Sequence, residues 1–133
     1  MSYTITFESS RFSLTQETPN PTNPTPGLSI GEWLWPQLCE NGIEVSEVEP
    51  EDWGWSFCAK RENRTYFIGL VGLPSERPEE PADVMIQVHK KRSLLELLTF
   101  NSQLDQNDEL VKLIENLVSS INDVSHLEVG QNG

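Results

Sequence analysis

The chain has 133 residues, which suits one domain over residues 1–133, because two cores of half this length would each be marginally stable. Its 21 acidic side chains outnumber nine Lys and Arg, and the resulting net charge of -12 disfavours binding to nucleic acid or to anionic membranes. The composition favours a basic protein partner. The simpler alternative is that the acids only keep an abundant protein in solution.

The cellular compartment is predicted from the N-terminus and from Cys39 and Cys58, the only cysteines. No basic region followed by an apolar block opens the sequence, and no apolar run approaches membrane-spanning length. Two cysteines without a secretory signal favour reduced thiols, and their apolar or aromatic neighbours suggest that each behaves as a small hydrophobic side chain. We therefore expect a cytoplasmic protein.

The first third of the chain predicts one strand, a connector and one helix. Tyr3–Phe7 alternates apolar and polar residues, as a half-buried strand does. Residues 13–27 are rich in proline and predict an extended connector. Ser29 and Glu32 have the spacing of a capping box at the start of a helix. Asn41-Gly42 supplies a C-cap in the left-handed conformation, which ends that helix.

The middle of the chain predicts strands joined by polar turns. A short strand over Ile43–Val48 leads into a turn at Glu49–Asp52. The next strand places Trp53, Trp55 and Phe57 on one face by their period-two spacing. A turn at Arg61–Arg64 joins this strand to Thr65–Leu73 as a hairpin. Because Thr65–Leu73 is apolar on both faces, we expect it to be a central strand that is covered on each side.

The last third predicts further elements of both types. Val84, Ile86 and Val88 indicate a strand, and Asn107–Ile121 carries apolar residues at helical spacing along one face. The remaining predictions are a short helix over Ser93–Phe100, a last strand over Asp123–Val129 and a flexible tail over residues 130–133. This order of elements predicts an α+β fold with a mostly antiparallel sheet of four to six strands and two main helices packed on one face.

No catalytic constellation is evident in the sequence, and we expect no enzyme, no metal site and no cofactor. The two histidines, His89 and His126, lack the spacing of metal ligands, and no serine or cysteine has a placed base. The acids near Glu51 and Asp52 lie in a polar turn, where water solvates them. A deep pocket that enclosed these two acids and a histidine would favour an enzyme instead.

The candidate binding surface is a segment rich in acids with no basic residue among them, which we call the acidic ridge. It consists of Glu44, Glu47, Glu49, Glu51 and Asp52. Along an extended strand, Glu47, Glu49 and Glu51 would project on one side. The alternative for such a ridge is a solvated edge strand whose charges prevent aggregation.

Trp35 is the aromatic residue that we expect to contribute to the same surface. Trp33 aligns with the buried stripe of the first helix, and two positions along a helix turn a side chain away from it. Trp35 is therefore predicted to be exposed, and exposed tryptophans often mark interfaces. Carboxylates beside aromatic side chains suit contact with a basic protein.

The run Glu49-Pro50-Glu51-Asp52-Trp53-Gly54-Trp55-Ser56-Phe57, followed after a short turn by Tyr66-Phe67-Ile68-Gly69, resembles the P-E-D-x-G-W hairpin of a loose group of small bacterial α+β proteins. The resemblance covers residues 28–129. Some small acidic proteins of this shape serve as immunity proteins against contact-delivered toxins. By that analogy, the resemblance implies an inhibitor or immunity-type protein that occludes a basic partner such as a nuclease toxin.

A homodimeric structural or accessory domain is the alternative function. The doubly apolar Thr65–Leu73 strand motivates it, because two helices alone need not cover both sides of the sheet. In this hypothesis the chain pairs with a second copy through an exposed strand or through the face that carries Phe67, Val71 and Met85.

Overall fold

A computed structural model describes residues 2–12, 14–15, 17–22, 25–62, 64–77, 80–91 and 108–132, and the statements below concern these residues. They form seven strands and two helices. The elements in chain order are β1 (Ser2–Ser9), α1 (Leu28–Glu40), β2 (Glu44–Val45), β3 (Glu49–Glu51), β4 (Gly54–Arg61), β5 (Arg64–Leu73), β6 (Ala82–Lys91), α2 (Glu109–Ser119) and β7 (Ser125–Asn132). Neither helix has the length and apolar composition needed to cross a membrane.

The strands form one sheet in the order β2-β4-β5-β6-β1-β7, with β3 also paired to β4. Every pairing among the described strands is antiparallel. The predicted α+β class and antiparallel sheet are confirmed. The strand count is one above the predicted range of four to six, because the edge of the sheet beside β4 is divided into β2 and β3.

The register separates two faces of the sheet. Ile68 lies opposite Phe57 on β4 and Val88 on β6, and all three side chains are buried on what we call the inner face. Val71 lies opposite Met85 on the other side, which we call the outer face, and both are half-buried there. The central position of Thr65–Leu73 is confirmed, but the expected cover on both sides is not, since Val71 is only half-buried and Leu73 is exposed on the outer face.

The helix α1 contacts β2, β4 and β5 and buries Ile30, Leu34 and Leu38. A Cβ placed on its Gly31 would lie 2.9 Å from Cδ1 of Leu70, an inner-face residue, so helix and sheet approach closely at that glycine. The predicted left-handed end is confirmed, because Gly42 has a φ of 80°.

The helix α2 confirms the amphipathic pattern predicted for Asn107–Ile121. Its apolar residues Leu110, Ile114 and Val118 are buried, and the Asp108 carboxylate caps its start by accepting from the Leu110 amide at 2.9 Å. The Tyr66 hydroxyl donates to the same carboxylate at 3.0 Å, so α2 is tied to a strand of the hairpin. Burial, and then the charge of Asp108, raise the pKa of Tyr66 far above its ordinary value.

The predicted capping box of α1 is wrong. Ser29 is the second residue of the helix, not its cap, and the side chain of Glu17 in the connector takes the role assigned to Glu32. One Glu17 carboxylate oxygen accepts from the amides of Gly27 and Leu28 at 2.6 and 3.0 Å, and the other accepts from the Ser29 amide at 2.9 Å. A carboxylate twelve residues away satisfies the free amides, which local spacing could not reveal.

The predicted turn at Glu49–Asp52 and the predicted tryptophan face are also wrong. Glu49–Glu51 is the strand β3, and the turn lies after this strand, at Asp52 and Trp53. Since β4 begins only at Gly54, the alternation does not extend back to Trp53. Trp55 and Phe57 are buried on the inner face, whereas the exposed Trp53 indole packs against Phe67 of the outer face with ring centroids 6.2 Å apart.

Two further expectations need correction. Residues Gly130–Asn132 belong to β7 and not to a flexible tail, because Ser2–Thr4 of β1 supplies them with backbone partners. Cys39 is exposed on α1 and not a buried small hydrophobe, and both cysteines are free thiols. The last strand is confirmed as Ser125–Asn132, and the helix predicted over Ser93–Phe100 lies outside the described residues.

The connector packs against the sheet. In its described part it contains no helix or strand, as predicted, yet Leu14 is buried and lies where a Cβ on Gly72 would have to be. The Gly72 amide donates to the Pro26 carbonyl at 2.9 Å, beyond the point where β4 stops pairing with β5. The connector therefore supplies the partner that the end of β5 lacks.

Candidate functional site

The acidic ridge lies along the sheet edge formed by β2 and β3, where an irregular stretch separates the two strands. The Ser46 amide donates to the Cys58 carbonyl at 2.9 Å, and the Cys58 amide donates to the Ser46 hydroxyl at 2.8 Å. A side-chain oxygen thus replaces the backbone carbonyl of a regular ladder. Because the Ser46 hydroxyl takes the place of a backbone carbonyl, the backbone pairing with β4 is interrupted there. The alternation of side chains along the edge is interrupted with it.

Three of the ridge carboxylates share the outer face. Glu44 lies opposite Lys60, Glu49 opposite Ser56, and Glu51 opposite Gly54. Glu51 is half-buried and accepts a hydrogen bond from the Ser56 hydroxyl at 2.9 Å, whereas Glu44 and Glu49 are exposed.

Asp52 and Glu47 have different surroundings from these three. Asp52 is exposed in the turn after β3. Glu47 belongs to the irregular stretch and lines a groove between α1 and the sheet edge. The expectation that Glu47, Glu49 and Glu51 project on one side therefore holds for Glu49 and Glu51 and fails for Glu47, because the interruption at Ser46 resets the alternation.

The groove beside α1, which we call the edge groove, brings Trp35 and Glu47 together. It encloses about 320 Å³ and contains no Lys or Arg among its lining residues, which are Leu28, Glu32, Trp35, Cys39, Val45, Ser46, Glu47 and Val48. Trp35 is 39% exposed, so its predicted exposure is confirmed. Apolar walls between the Glu32 and Glu47 carboxylates give the groove the character of a site for a cationic side chain with an aliphatic stem.

Asn20 of the connector fixes the turn that carries Asp52. Its side-chain amide donates to the Glu51 carbonyl at 3.0 Å and to the Gly54 carbonyl at 2.7 Å. These two bonds bridge the last residue of β3 and the first residue of β4. The available signal in the sequence was an asparagine within a proline-rich segment. Nothing in the sequence indicated that it would be buried or which turn it would contact.

Glu32 and Trp53 are the residues near the site that sequence reasoning missed. Glu32 was assigned to a helix cap, whereas it is an exposed residue of the edge groove. Trp53 was assigned to the core, whereas it is 39% exposed beside the ridge. The glycine after Trp53 was the available signal, because Gly often marks the start or a break of a regular strand.

The described residues include no group of three or more His, Cys, Asp or Glu side chains placed to hold a metal ion. His126 pairs with Glu8, and His89 is exposed on β6. The described chemistry of the edge is therefore that of carboxylates, an indole and a thiol. No family model, curated protein or solved structure matches this chain significantly.

Proposed function

We propose that this chain is a non-catalytic cytoplasmic domain that binds a basic protein through the acidic ridge and the edge groove. The observation that carries the proposal is the junction of Trp35 and Glu47 in one groove, at the same sheet edge that carries the exposed carboxylates of Glu44 and Glu49 on its outer face. An inhibitor or immunity-type protein that occludes a toxin such as a nuclease is the function that this chemistry suits best.

The charge of the surface sets how such a partner would associate. A net charge of -12 attracts a basic protein over several ångströms before contact, which raises the association rate. The Trp35 indole supplies apolar area that becomes buried on contact, which slows dissociation. Fast association and slow dissociation together suit an inhibitor that must neutralise its target before damage occurs.

In this proposal the fold supports the edge from one side. The helix α1 packs at Gly31 against Leu70 of the inner face, and α2 is held to β5 through Tyr66 and Asp108. The helix α1 thereby holds Trp35 beside the sheet edge, and the edge groove exists because helix and edge lie side by side. A rigid wall on one side reduces the ordering that binding requires.

The first experiment identifies the partner from the position of contact. A photo-reactive amino acid placed at Trp35 should cross-link in cells to a basic protein, which mass spectrometry identifies. The matched control carries the same group at Lys112, an exposed position on α2. A cross-link that forms equally from both positions, or a captured partner that is acidic, would contradict the proposal.

The second experiment measures association with the captured partner by stopped-flow fluorescence at several salt concentrations. Reversal of Glu44, Glu47 and Glu49 to Lys should lower the association rate by about tenfold or more at low salt and flatten its salt dependence. The control reverses three acids away from the edge, namely Glu76, Glu80 and Glu115, and changes the net charge equally. Equal slowing by both triple variants would show that overall charge, and not the ridge, controls binding.

The homodimer is the second candidate function. It is favoured by the outer-face row of Phe67, Val71 and Met85, which are half-buried with Trp53 packed against one end. Pairing of two such faces would bury apolar area on both copies. Sedimentation velocity over a range of concentrations tests this candidate, and a strict monomer at several hundred micromolar protein, on the order of weak-dimer dissociation constants, would exclude it.

A further inference from the structure

The outer face contains a second concave surface, on the strands that lie beyond β4 from β2 and β3. This cleft encloses about 510 Å³ and spans β5, β6, β1 and β7. Its volume lies within the range of pockets that hold side chains or small ligands. Only β4 lies between the ridge strands and the cleft in sheet order, but the cleft and the edge groove have no lining residue in common, so they are distinct surfaces.

Two neighbouring rows of cross-strand pairs build the cleft. In the first row Val71 lies opposite Met85, Met85 opposite Thr6, and Thr6 opposite Glu128. In the second row Leu73 lies opposite Asp83, and Asp83 opposite Glu8. Apolar side chains therefore occupy the β5 end of both rows, and carboxylates occupy the end toward β1 and β7.

The exposure of these side chains shows that the cleft is accessible to a partner. Leu73 is 58% exposed, a large fraction for a leucine, and Val71 and Met85 are only half-buried. Asp83 and Glu128 are exposed at the rim. An accessible apolar surface beside charges of a single sign is typical of a recognition site.

The charge of the cleft selects its occupant. Three of its lining residues are acids, namely Glu8, Asp83 and Glu128, and no lysine or arginine is among the others. The His126 imidazole pairs with Glu8, which leaves Asp83 and Glu128 toward the opening without a basic neighbour in the lining. A cationic group completes this arrangement electrostatically, because it would meet two neighbouring carboxylates of the same sign at the exposed rim.

We propose that this cleft binds an amphipathic, Lys- or Arg-bearing segment of a protein partner. An apolar side chain of the segment contacts Val71, Leu73 and Met85, and its cationic neighbour contacts Asp83 and Glu128. A second copy of this chain would bring like carboxylates together, and an anionic membrane surface would be repelled. This contact is separate from the proposed edge interface and does not depend on it.

The test uses a defined probe and a single reporter. The probe is a nine-residue peptide of alternating leucine and lysine, and the neutral comparison replaces each lysine with glutamine. The chain has two methionines, so 13C-methyl labelling of methionine gives one signal from Met85 and one from Met1. The Leu–Lys peptide should shift the Met85 signal and bind about tenfold more tightly than the Leu–Gln peptide.

Variants of the rim decide whether the cleft carboxylates are responsible. Asp83→Asn with Glu128→Gln should weaken the Leu–Lys peptide by about tenfold, whereas the control pair Glu62→Gln and Glu76→Gln should change its affinity less than twofold. The Met85 signal of the free variant reports that the sheet is intact. The edge reversal of Glu44, Glu47 and Glu49 should leave the Met85 response unchanged, which separates this test from that of the proposed function.

Four outcomes would overturn the proposal. One is a Met85 signal that does not move at millimolar peptide, and another is equal binding of the Leu–Gln peptide. A third is equal weakening by the control pair. The fourth is a Met85 shift caused by protein concentration alone together with a dimer in sedimentation, which would assign the outer face to self-association.

Discussion

The indole of Trp53 lies directly over Gly69, so that a Cβ added to the glycine would come within 2.9 Å of the ring. Gly69 belongs to the central strand β5, and the absence of a side chain there gives the indole a flat surface. Phe67, two residues earlier on the same face, contacts the ring edge to face. The turn between β3 and β4 is thus attached to the middle of the sheet by one aromatic side chain.

Replacement of Gly69 by Ala should displace Trp53 and destabilise the fold by about 1–3 kcal/mol, because the new Cβ overlaps a stiff ring. Urea unfolding measures the free energy, and tryptophan fluorescence of the folded variant reports the displaced ring. Gly130→Ala is the matched control, since nothing lies within 4 Å of a Cβ at that position. Equal losses from both substitutions would show that the indole does not depend on Gly69.

Replacement of Glu17 by Ala should destabilise the protein by about 1–2 kcal/mol, because three amides at the start of α1 lose their acceptor. The control is Glu32→Ala, which lies in the first turns of the same helix but is exposed, and it should change stability by less than about 0.5 kcal/mol. Thermal unfolding of both variants compares them. A larger loss of stability from Glu32→Ala than from Glu17→Ala would instead support the capping box predicted for Ser29 and Glu32.

Replacement of Asn20 by Asp should destabilise the protein by about 2 kcal/mol or more, because a carboxylate cannot donate to the Glu51 and Gly54 carbonyls and repels both. Asn20→Ala should cost less, since it removes the donors without adding charge. Urea unfolding gives the ranking. If Asn20→Asp is as stable as the parent chain, the connector does not hold the turn.

Asp123 should make stability depend on pH. Hydrogen bonds from the hydroxyl and amide of Ser10, and from the hydroxyl of Ser9, lower the pKa of this carboxyl below its ordinary value. A folded-state pKa below the unfolded one means that the ionised group stabilises the fold above the unfolded pKa. This stabilisation is lost as the pH falls through the lowered, folded-state pKa.

Asp123→Asn should therefore reduce stability by on the order of 1 kcal/mol at pH 7, a value discounted because Asp123 is exposed to solvent. The difference between variant and parent should shrink as the pH is lowered below the ordinary value of 3.8. Denaturant unfolding at a series of pH values measures it. Asn122→Ala, at an exposed neighbouring position, should give no such dependence.

The parts of the fold that follow from local periodicity were predictable. Strands β5 and β6 and the helix α2 have long, regular apolar patterns, and each was placed within a few residues. The predictions that were wrong concern contacts between residues that are distant in sequence. Glu17 caps a helix that begins eleven residues later, and β3 is a strand only because β4 pairs with it. A proline flanked by acids carries no strand signal of its own.

The candidate site was predictable as a set of residues but not as an arrangement. The exposure of Trp35 followed from helical geometry, since Trp33 was the tryptophan assigned to the buried stripe. The division of the ridge could not be foreseen, because it arises from the Ser46 hydroxyl accepting the Cys58 amide. One side-chain hydrogen bond thus decides that Glu47 lines the edge groove while Glu49 lies on the outer face.

The strand β1 lies between β6 and β7, so the first strand of the chain pairs only with strands made much later. Its partners begin about eighty and about a hundred and twenty residues further along. Loop closure over such distances slows folding, because entropy is lost before contacts compensate. During synthesis, β1 has no partner until β6 has left the ribosome, and β7 is added to its other side later still.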